Sequence, residues 1–245
     1  MNIATTLNTI KLETTTDLKS VFRNAGFVLP TLAFPSIFYI FFGIVMAQGN
    51  TNTYLLVSYV IFGVMGPALF NFGVNVATER EKGWLTLKRL SPMPAFYYLL
   101  AKTFTALCFS TLIFILLGTL AVVFANVSMA TSQWLSFYAL TILGTLPFCM
   151  LGLWLGLTFS SKSAPATVNL IYLPMAILSG LWLPIAMLPE IIQHIAWALP
   201  SYHLSQLGLN MLTLGQGHSN WVHISATLIF TLFCSLGAAN KYKKG

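Results

Sequence analysis

Ala77-Thr78-Glu79-Arg80-Glu81-Lys82-Gly83-Trp84-Leu85-Thr86-Leu87-Lys88-Arg89-Leu90-Ser91-Pro92-Met93-Pro94, running on to Lys102, is a charged interruption in an otherwise oily chain. Four charged residues stand in a row from Glu79 to Lys82, and Lys88 and Arg89 follow. Long apolar runs lie on both sides. A polar, amphipathic segment held between two membrane-length runs has to lie at a membrane surface, where a soluble partner can push on it. The rest of the chain reads as what such a push would move.

Composition supports the membrane assignment. Of 245 residues, 57% are hydrophobic and only 7% charged, with a mean hydropathy of +0.79. A soluble domain carries roughly 25% charged residues. Several apolar runs exceed the roughly 20 residues that cross a bilayer as a helix. Alternating strand patterns are absent, which disfavours a β-barrel. The expected fold class is therefore an all-α integral membrane protein of six transmembrane helices, forming a single domain over 1–245. The spans fall at about 27–48, 53–76, 97–125, 134–159, 165–183 and 220–239. Residues 1–26 form an N-terminal segment with no signal-peptide core, 77–96 the charged loop, and 184–219 a hairpin.

Within the N-terminal segment, residues 1–16 read as loosely ordered. Asp17 reads as the cap of a short helix with one apolar stripe, Leu18, Val21, Phe22 and Ala25. That helix is either interfacial or a solvated lead-in. In span 2, Asn71 and Asn75 share a face, which suits either helix packing or the lining of a path. Span 4 carries Gly152 and Gly156, a GxxxG spacing extended by Ser160 that permits close helix approach. After Pro165, the breaks at Pro174, Gly180, Pro184, Pro189 and Pro200 are too frequent for a plain lipid-facing helix. Broken backbone at membrane depth has to be enclosed by protein or a cavity. Residues 189–212 thus read as a helical hairpin dipping into the outer leaflet, with Glu190 the one charged side chain outside.

Topology follows from charge. All 12 basic residues fall in the N-terminal segment, the 77–102 stretch, the loop at Lys162 and the tail. The positive-inside rule then puts both termini in the cytoplasm. The net charge of +7 is no nucleic-acid signal, because it is spread over loops on one membrane side. Cys108, Cys149 and Cys234 lie in apolar runs without CxxC spacing, so neither a disulfide nor a metal is expected.

Catalytic signatures fail. Gly156-Leu157-Thr158-Phe159-Ser160-Ser161-Lys162-Ser163 lacks the glycine before lysine that a phosphate loop requires, and no strand precedes it. His194, His203, His218 and His223 fall outside or at the outer boundary and not on a facing helix, without carboxylate or thiolate company. No ionisable group lies well inside a span, since Lys102 sits near a span end and can snorkel. With no internal energy source visible, something else has to supply the drive.

The stretch Glu79–Pro94, followed by Tyr97-Tyr98-Leu99-Leu100-Ala101-Lys102, resembles the coupling-helix region of ABC-2 type transporter permeases. That pattern is an E-R-E-x-G core, an amphipathic helix ending in R-L, a small/Pro turn and a span opening with A-K. Trp84-Leu85 stands where the common form has Thr-Leu, as in a drug- and antibiotic-export branch. Ser179-Gly180-Leu181-Trp182-Leu183-Pro184, Met187-Leu188-Pro189 and Leu199-Pro200-Ser201-Tyr202-His203 are similar to that family's broken fifth span and outer helices. The resemblance implies a bacterial cell (inner) membrane protein that pairs with a second permease, identical or not, above cytoplasmic ABC ATPase subunits. ATP and Mg would be bound by the ATPase subunit, with no cofactor on this chain.

The resemblance also assigns roles. Glu79, Arg80, Glu81 and Lys82 would cap and orient the coupling helix, and Gly83 would permit close approach or a bend. Trp84, Leu85, Leu87 and Leu90 would be its apolar face, with Arg89 beside them. Phe38, Phe42, Asn71, Asn75, Asn169 and Tyr172 are the substrate-path candidates. A weakly charged lining would suit a hydrophobic or amphiphilic small molecule moved outward through the lipid. A membrane scaffold that transports nothing is the rival reading.

Overall fold

A computed structural model describes residues 3–47, 51–90 and 95–244, and among these every regular element is helical. Helix α1 (Ile3–Arg23) precedes α2 (Ala25–Phe38), which runs on as a π-helical segment, Tyr39–Val45. Next, α3 (Thr51–Phe70) continues through a second π segment, Asn71–Asn75, into α4 (Val76–Glu81). The short α5 (Trp84–Leu90) leads to α6 (Ala95–Phe124), and α7 (Thr131–Gly144) and α8 (Leu146–Thr158) together make one span. Last come α9 (Ala164–Leu178), a 3-10 turn at Ile185–Met187, α10 (Glu190–Ala196), α11 (Pro200–Met211) and α12 (Asn220–Lys244).

Among the described residues, five stretches are long and apolar enough to cross a membrane: Ala25–Val45, Thr51–Glu81, Phe96–Phe124, Thr131–Thr158 and Asn220–Tyr242. Within the expected span at 165–183 the regular helix is the 15-residue α9, about 22 Å long against a hydrocarbon core of about 30 Å. Gly180 ends it with φ +74, and a Cβ there would meet Ile185 Cβ at 2.8 Å. Only glycine fits that turn.

The core is α3, buried without a break from Leu55 to Leu69. Its sequence is apolar on every side, as a helix enclosed by others must be. It packs against α2, α6, α8, α9 and α11, while α12 lies on α8 and α11, and α1 lies along α6. The GxxxG face brings α8 against the second π segment and its flanks. A Cβ on Gly156 would sit 2.5 Å from the Phe72 carbonyl oxygen and 2.9 Å from that of Gly73.

The bundle has two distinct ends. At one, Asn52 Nδ2 donates to the Ala125 carbonyl (2.8 Å), joining the start of α3 to the end of α6. The Ile185 N–H donates to the Tyr54 hydroxyl (3.3 Å) at the same end. The other end gathers the charges, with Asp17 of α1, Glu79 of α4 and Lys102 of α6 in contact and Ser161 against Glu81. Tyr242 of α12 closes around the same cavity as Leu85 and Tyr98.

Three expectations are corrected here. The N-terminal region is helical from Ile3, where a loose segment through residue 16 was expected. Asp17 lies inside α1, one face of which packs on α6. Its carboxylate therefore turns to α6 and caps nothing. The histidines His203 and His223 do face each other, from α11 and α12, with Nδ1 atoms 2.8 Å apart. The Trp197 carbonyl can only accept, so His203 Nε2, 2.9 Å away, carries the proton. His203 Nδ1 is then the acceptor and His223 Nδ1–H the donor. That leaves the buried His223 Nε2 as a bare lone pair with no partner among the described residues.

Candidate coupling site

At the charged end, each member of the Glu79-Arg80-Glu81-Lys82 run reaches a different part of the molecule. Position sets this: α4 continues the central helix past its apolar part, so successive residues, about 100° apart, face different neighbours.

Glu79 turns to α6. Its Oε1 lies 2.9 Å from Lys102 Nζ, and its Oε2 accepts from the Tyr98 hydroxyl at 2.6 Å. Lys102 Nζ also reaches Asp17 Oδ1 at 3.0 Å, and the Thr105 hydroxyl donates to Asp17 Oδ2 at 2.6 Å. The Lys102 side chain is 1% exposed, Asp17 11% and Glu79 17%. Lys102 therefore does not snorkel, contrary to the sequence-based expectation. Two carboxylates hold it inside, because a buried charge is tolerated where it is paired and hydrogen-bonded.

Arg80 turns to α8. Its Nη2 donates to the Phe159 carbonyl (2.8 Å) and its Nη1 to that of Leu157. These carbonyls have no partner within the helix and lie at the negative end of its dipole, so a guanidinium suits them. Glu81 turns to the loop before α9, taking the Ser161 N–H on Oε1 (2.9 Å) and the Ser161 hydroxyl on Oε2. Lys82 ends α4, with its ammonium 5.7 Å from the centre of the Trp84 ring.

Gly83 makes the joint between α4 and α5. Its φ is +75, and a Cβ there would meet nothing within 4 Å. The glycine is required for the bend and not for close approach. Gly83→Ala is expected to leave the bundle folded and to cost about 1–2 kcal/mol, the penalty of a left-handed backbone for an L-residue. Thermal melting of the purified protein measures this.

The four apolar residues of α5 do not share one face. Leu85 is 7% exposed and turns inward, while Trp84, Leu87 and Leu90 are 51%, 66% and 80% exposed. The outward three recur every third residue and form a stripe at the tip of the charged end. The side chain of Arg89 and the turn Ser91–Pro94 lie outside the described residues.

The path candidates divide. Asn169 and Tyr172 of α9 line a cavity of about 740 Å³ with Phe34 of α2, Gly66 and Phe70 of α3, and Trp182. This is within the range of small-molecule sites. Tyr172 stacks on Phe62, with ring centres 5.0 Å apart. Phe38 packs on Trp182 at 4.9 Å, and Phe42 tilts against Phe38 at 6.0 Å, behind the cavity wall. Asn71 is buried; its Nδ2 donates to the Lys102 carbonyl (3.2 Å) and its Oδ1 accepts from Asn75 Nδ2 (2.9 Å). Asn75 lines a smaller polar cavity of about 200 Å³ with Asp17, Glu79 and Lys82. Asn24 and Phe27 line both cavities.

In the hairpin, Pro184 precedes the 3-10 turn, Pro189 precedes α10 and Pro200 opens α11. Glu190 lies in the first turn of α10, where a carboxylate meets the positive end of the helix.

The sequence is similar to those of known proteins. A family model for the ABC-2 type transporter covers residues 9–212. The chain belongs to the ABC-2 type transporter family. It is also 29% identical over 238 residues to "Putative transport permease YvfS" of Bacillus subtilis (strain 168), covering 94% of this chain and 95% of that protein. As an ABC-2 permease it is the multi-pass membrane subunit of a transporter. The family implies an ABC ATPase partner and a second permease.

Sequence reasoning placed the Glu79–Lys82 run at a membrane surface. It missed Asp17, Tyr98, Lys102, Thr105 and Ser161 as partners of the run. The nearest signal was that Asp17 is the only aspartate, in a chain with almost no charge to spare.

Proposed function

We propose that this ABC-2 permease is the membrane half of an ATP-driven exporter. It moves a hydrophobic or amphiphilic compound outward across a bacterial cell membrane, and α5 is the helix on which the ATPase docks. ATP and Mg are bound by that separate subunit. The carrying observation is the divergence of the charged run. Glu79 holds α6 and, through Lys102, α1; Arg80 holds the end of α8; Glu81 holds the entry to α9. A push on the exposed Trp84, Leu87 and Leu90 stripe therefore reaches four other elements through hydrogen-bonded contacts. A loop that served only to set topology would have no need of them.

The six-span arrangement with both termini in the cytoplasm belongs to this reading. Two contacts support α9 as the remaining crossing, since Ser161 touches Glu81 at the charged end and Ile185 touches Tyr54 at the other. The hairpin of α10 and α11 then lies on the outer side, with α11 shielded by α3, α7 and α12. The large cavity between α2, α3 and α9, continued by the polar one at the charged end, is the proposed path. Asn169 and Tyr172 are its substrate contacts, and the mainly apolar lining sets the substrate class.

The test is co-purification with the ATPase encoded beside this gene. Trp84→Ala/Leu87→Ala is expected to weaken the complex at least tenfold, since exposed aromatic anchors carry on the order of 2 kcal/mol in such contacts. Glu81→Ala is expected to leave the complex intact and lower the ATPase rate in reconstituted vesicles. If no ATPase binds the wild-type chain, or the double variant binds as well as wild type, the scaffold reading replaces this one.

A further inference from the structure

A second cavity, of about 380 Å³, shares no lining residue with the proposed path. Its walls come from five helices: Val76 of α4, Leu85 of α5, Phe96 of α6, Leu153 of α8, and Ala238 and Tyr242 of α12. Its polar demand is small. The Ser235 hydroxyl donates to the Thr231 carbonyl (2.7 Å) of its own helix, and the Tyr98 hydroxyl donates to Glu79. The flanking side chains are exposed and apolar, Phe96 and Leu100 on α6 and Leu232 and Leu236 on α12. In a bilayer these touch hydrocarbon, so the cavity is continuous with the membrane interior. On α12 the exposed Lys241 stands between the lining residues Ala239 and Tyr242 in the chain.

We propose that this cavity holds one acyl chain of an anionic phospholipid whose phosphate is met by Lys241. A tail entering from the bilayer gains little from burial as such, because it leaves one apolar medium for another. Selection therefore rests on shape and on headgroup charge. A lysine near the surface is worth about five-fold in preference for an anionic over a neutral headgroup. The bound tail packs against Leu85, the inward-facing residue of α5, and so supports from within the helix whose outer stripe receives the ATPase. Lipid binding itself does not depend on that assignment.

The experiment uses the full chain in phosphatidylcholine vesicles without any ATPase. Trace phosphatidylglycerol or phosphatidylcholine with a diazirine in the tail is added, illuminated and mapped by peptide mass spectrometry. Phosphatidylglycerol is expected to label the cavity segments around residues 96–99, 150–157 and 235–242 about five-fold more than phosphatidylcholine does. Ala238→Trp fills the cavity and is expected to abolish that label while sparing the exposed stripe of α12. Lys241→Gln, a surface change that leaves folding alone, is expected to bring phosphatidylglycerol down to the phosphatidylcholine level. Equal labelling by both lipids, or labelling unchanged in both variants, overturns the proposal in favour of non-selective lipid contact. Labelling of the α12 stripe with none at the cavity shows that protein fills it, which overturns the proposal equally.

Discussion

Lys102→Met is expected to destabilise the protein by about 3–5 kcal/mol, because it leaves the Asp17 and Glu79 carboxylates enclosed without a cation. Among the described residues, the ammonium is the group on which the two converge, at 3.0 and 2.9 Å. The remaining donors, from Thr105 and Tyr98, are neutral hydroxyls. At this chain length the loss corresponds to a fall in melting temperature of order 10 °C, readable by fluorescence-detected thermal unfolding in detergent. The triple variant Asp17→Asn/Glu79→Gln/Lys102→Met removes all the charges together and is expected to recover most of that fall. Its recovery separates the cost of stranded charge from the worth of the cluster, which residues in mutual contact never reveal singly. If Lys102→Met melts within 2 °C of wild type, a threshold on the order of 1 kcal/mol, the cluster does not hold α1 to α6.

Gly156→Ala is expected to cost about 3 kcal/mol, the upper end of overpacking, and Gly156→Leu to yield no folded protein. The added carbon meets the carbonyl oxygens of Phe72 and Gly73 at 2.5 and 2.9 Å. These are backbone atoms of the central helix and cannot swing aside as a side-chain tip can. Separation of α8 from the second π segment would also pull the Leu157 and Phe159 carbonyls away from Arg80. Gly217→Ala is the contrast: Gly217 lies outside any helix with φ +81, and a Cβ there meets nothing within 4 Å. It should cost about 1–2 kcal/mol. Gly156→Ala melting at or above wild type, as alanine would give in an uncrowded helix interior, would show that close approach of α8 to the central helix is not required.

The comparison of Gly156 with Gly83 shows what could be read from sequence. The GxxxG spacing was visible, but it is common in apolar helices, and only the carbonyls of another helix give it meaning. Gly83 was legible only as close approach or a bend, and its φ of +75 with open space around a Cβ decides for the bend. The apolar runs disclosed the long spans, since composition alone decides whether a helix suits hydrocarbon. They did not disclose that α3 is the enclosed one, because a helix apolar on all sides looks the same facing lipid or protein. The charged run was legible as a surface element. Its partners were not, because Lys102 lies 85 residues from Asp17 and 23 from Glu79. Pairing of that kind is set by how helices stack, and no local spacing encodes it. The split of α5, with Leu85 inward and three residues outward, depended in the same way on where α6 and α12 end.

The order in which the chain is made gives the Asp17–Glu79–Lys102 contact a further meaning. Synthesis delivers the two acids first and Lys102 last, so a nascent chain that stops before residue 102 carries both carboxylates without the ammonium that joins them. Helix α1 and the end of α4 then lack the ammonium that joins them at that spot. Arrival of the third span supplies the lysine and closes all three elements at once. A chain cut between the second and third spans would thus lack its latch, and membrane quality control would meet it with its first helix undocked.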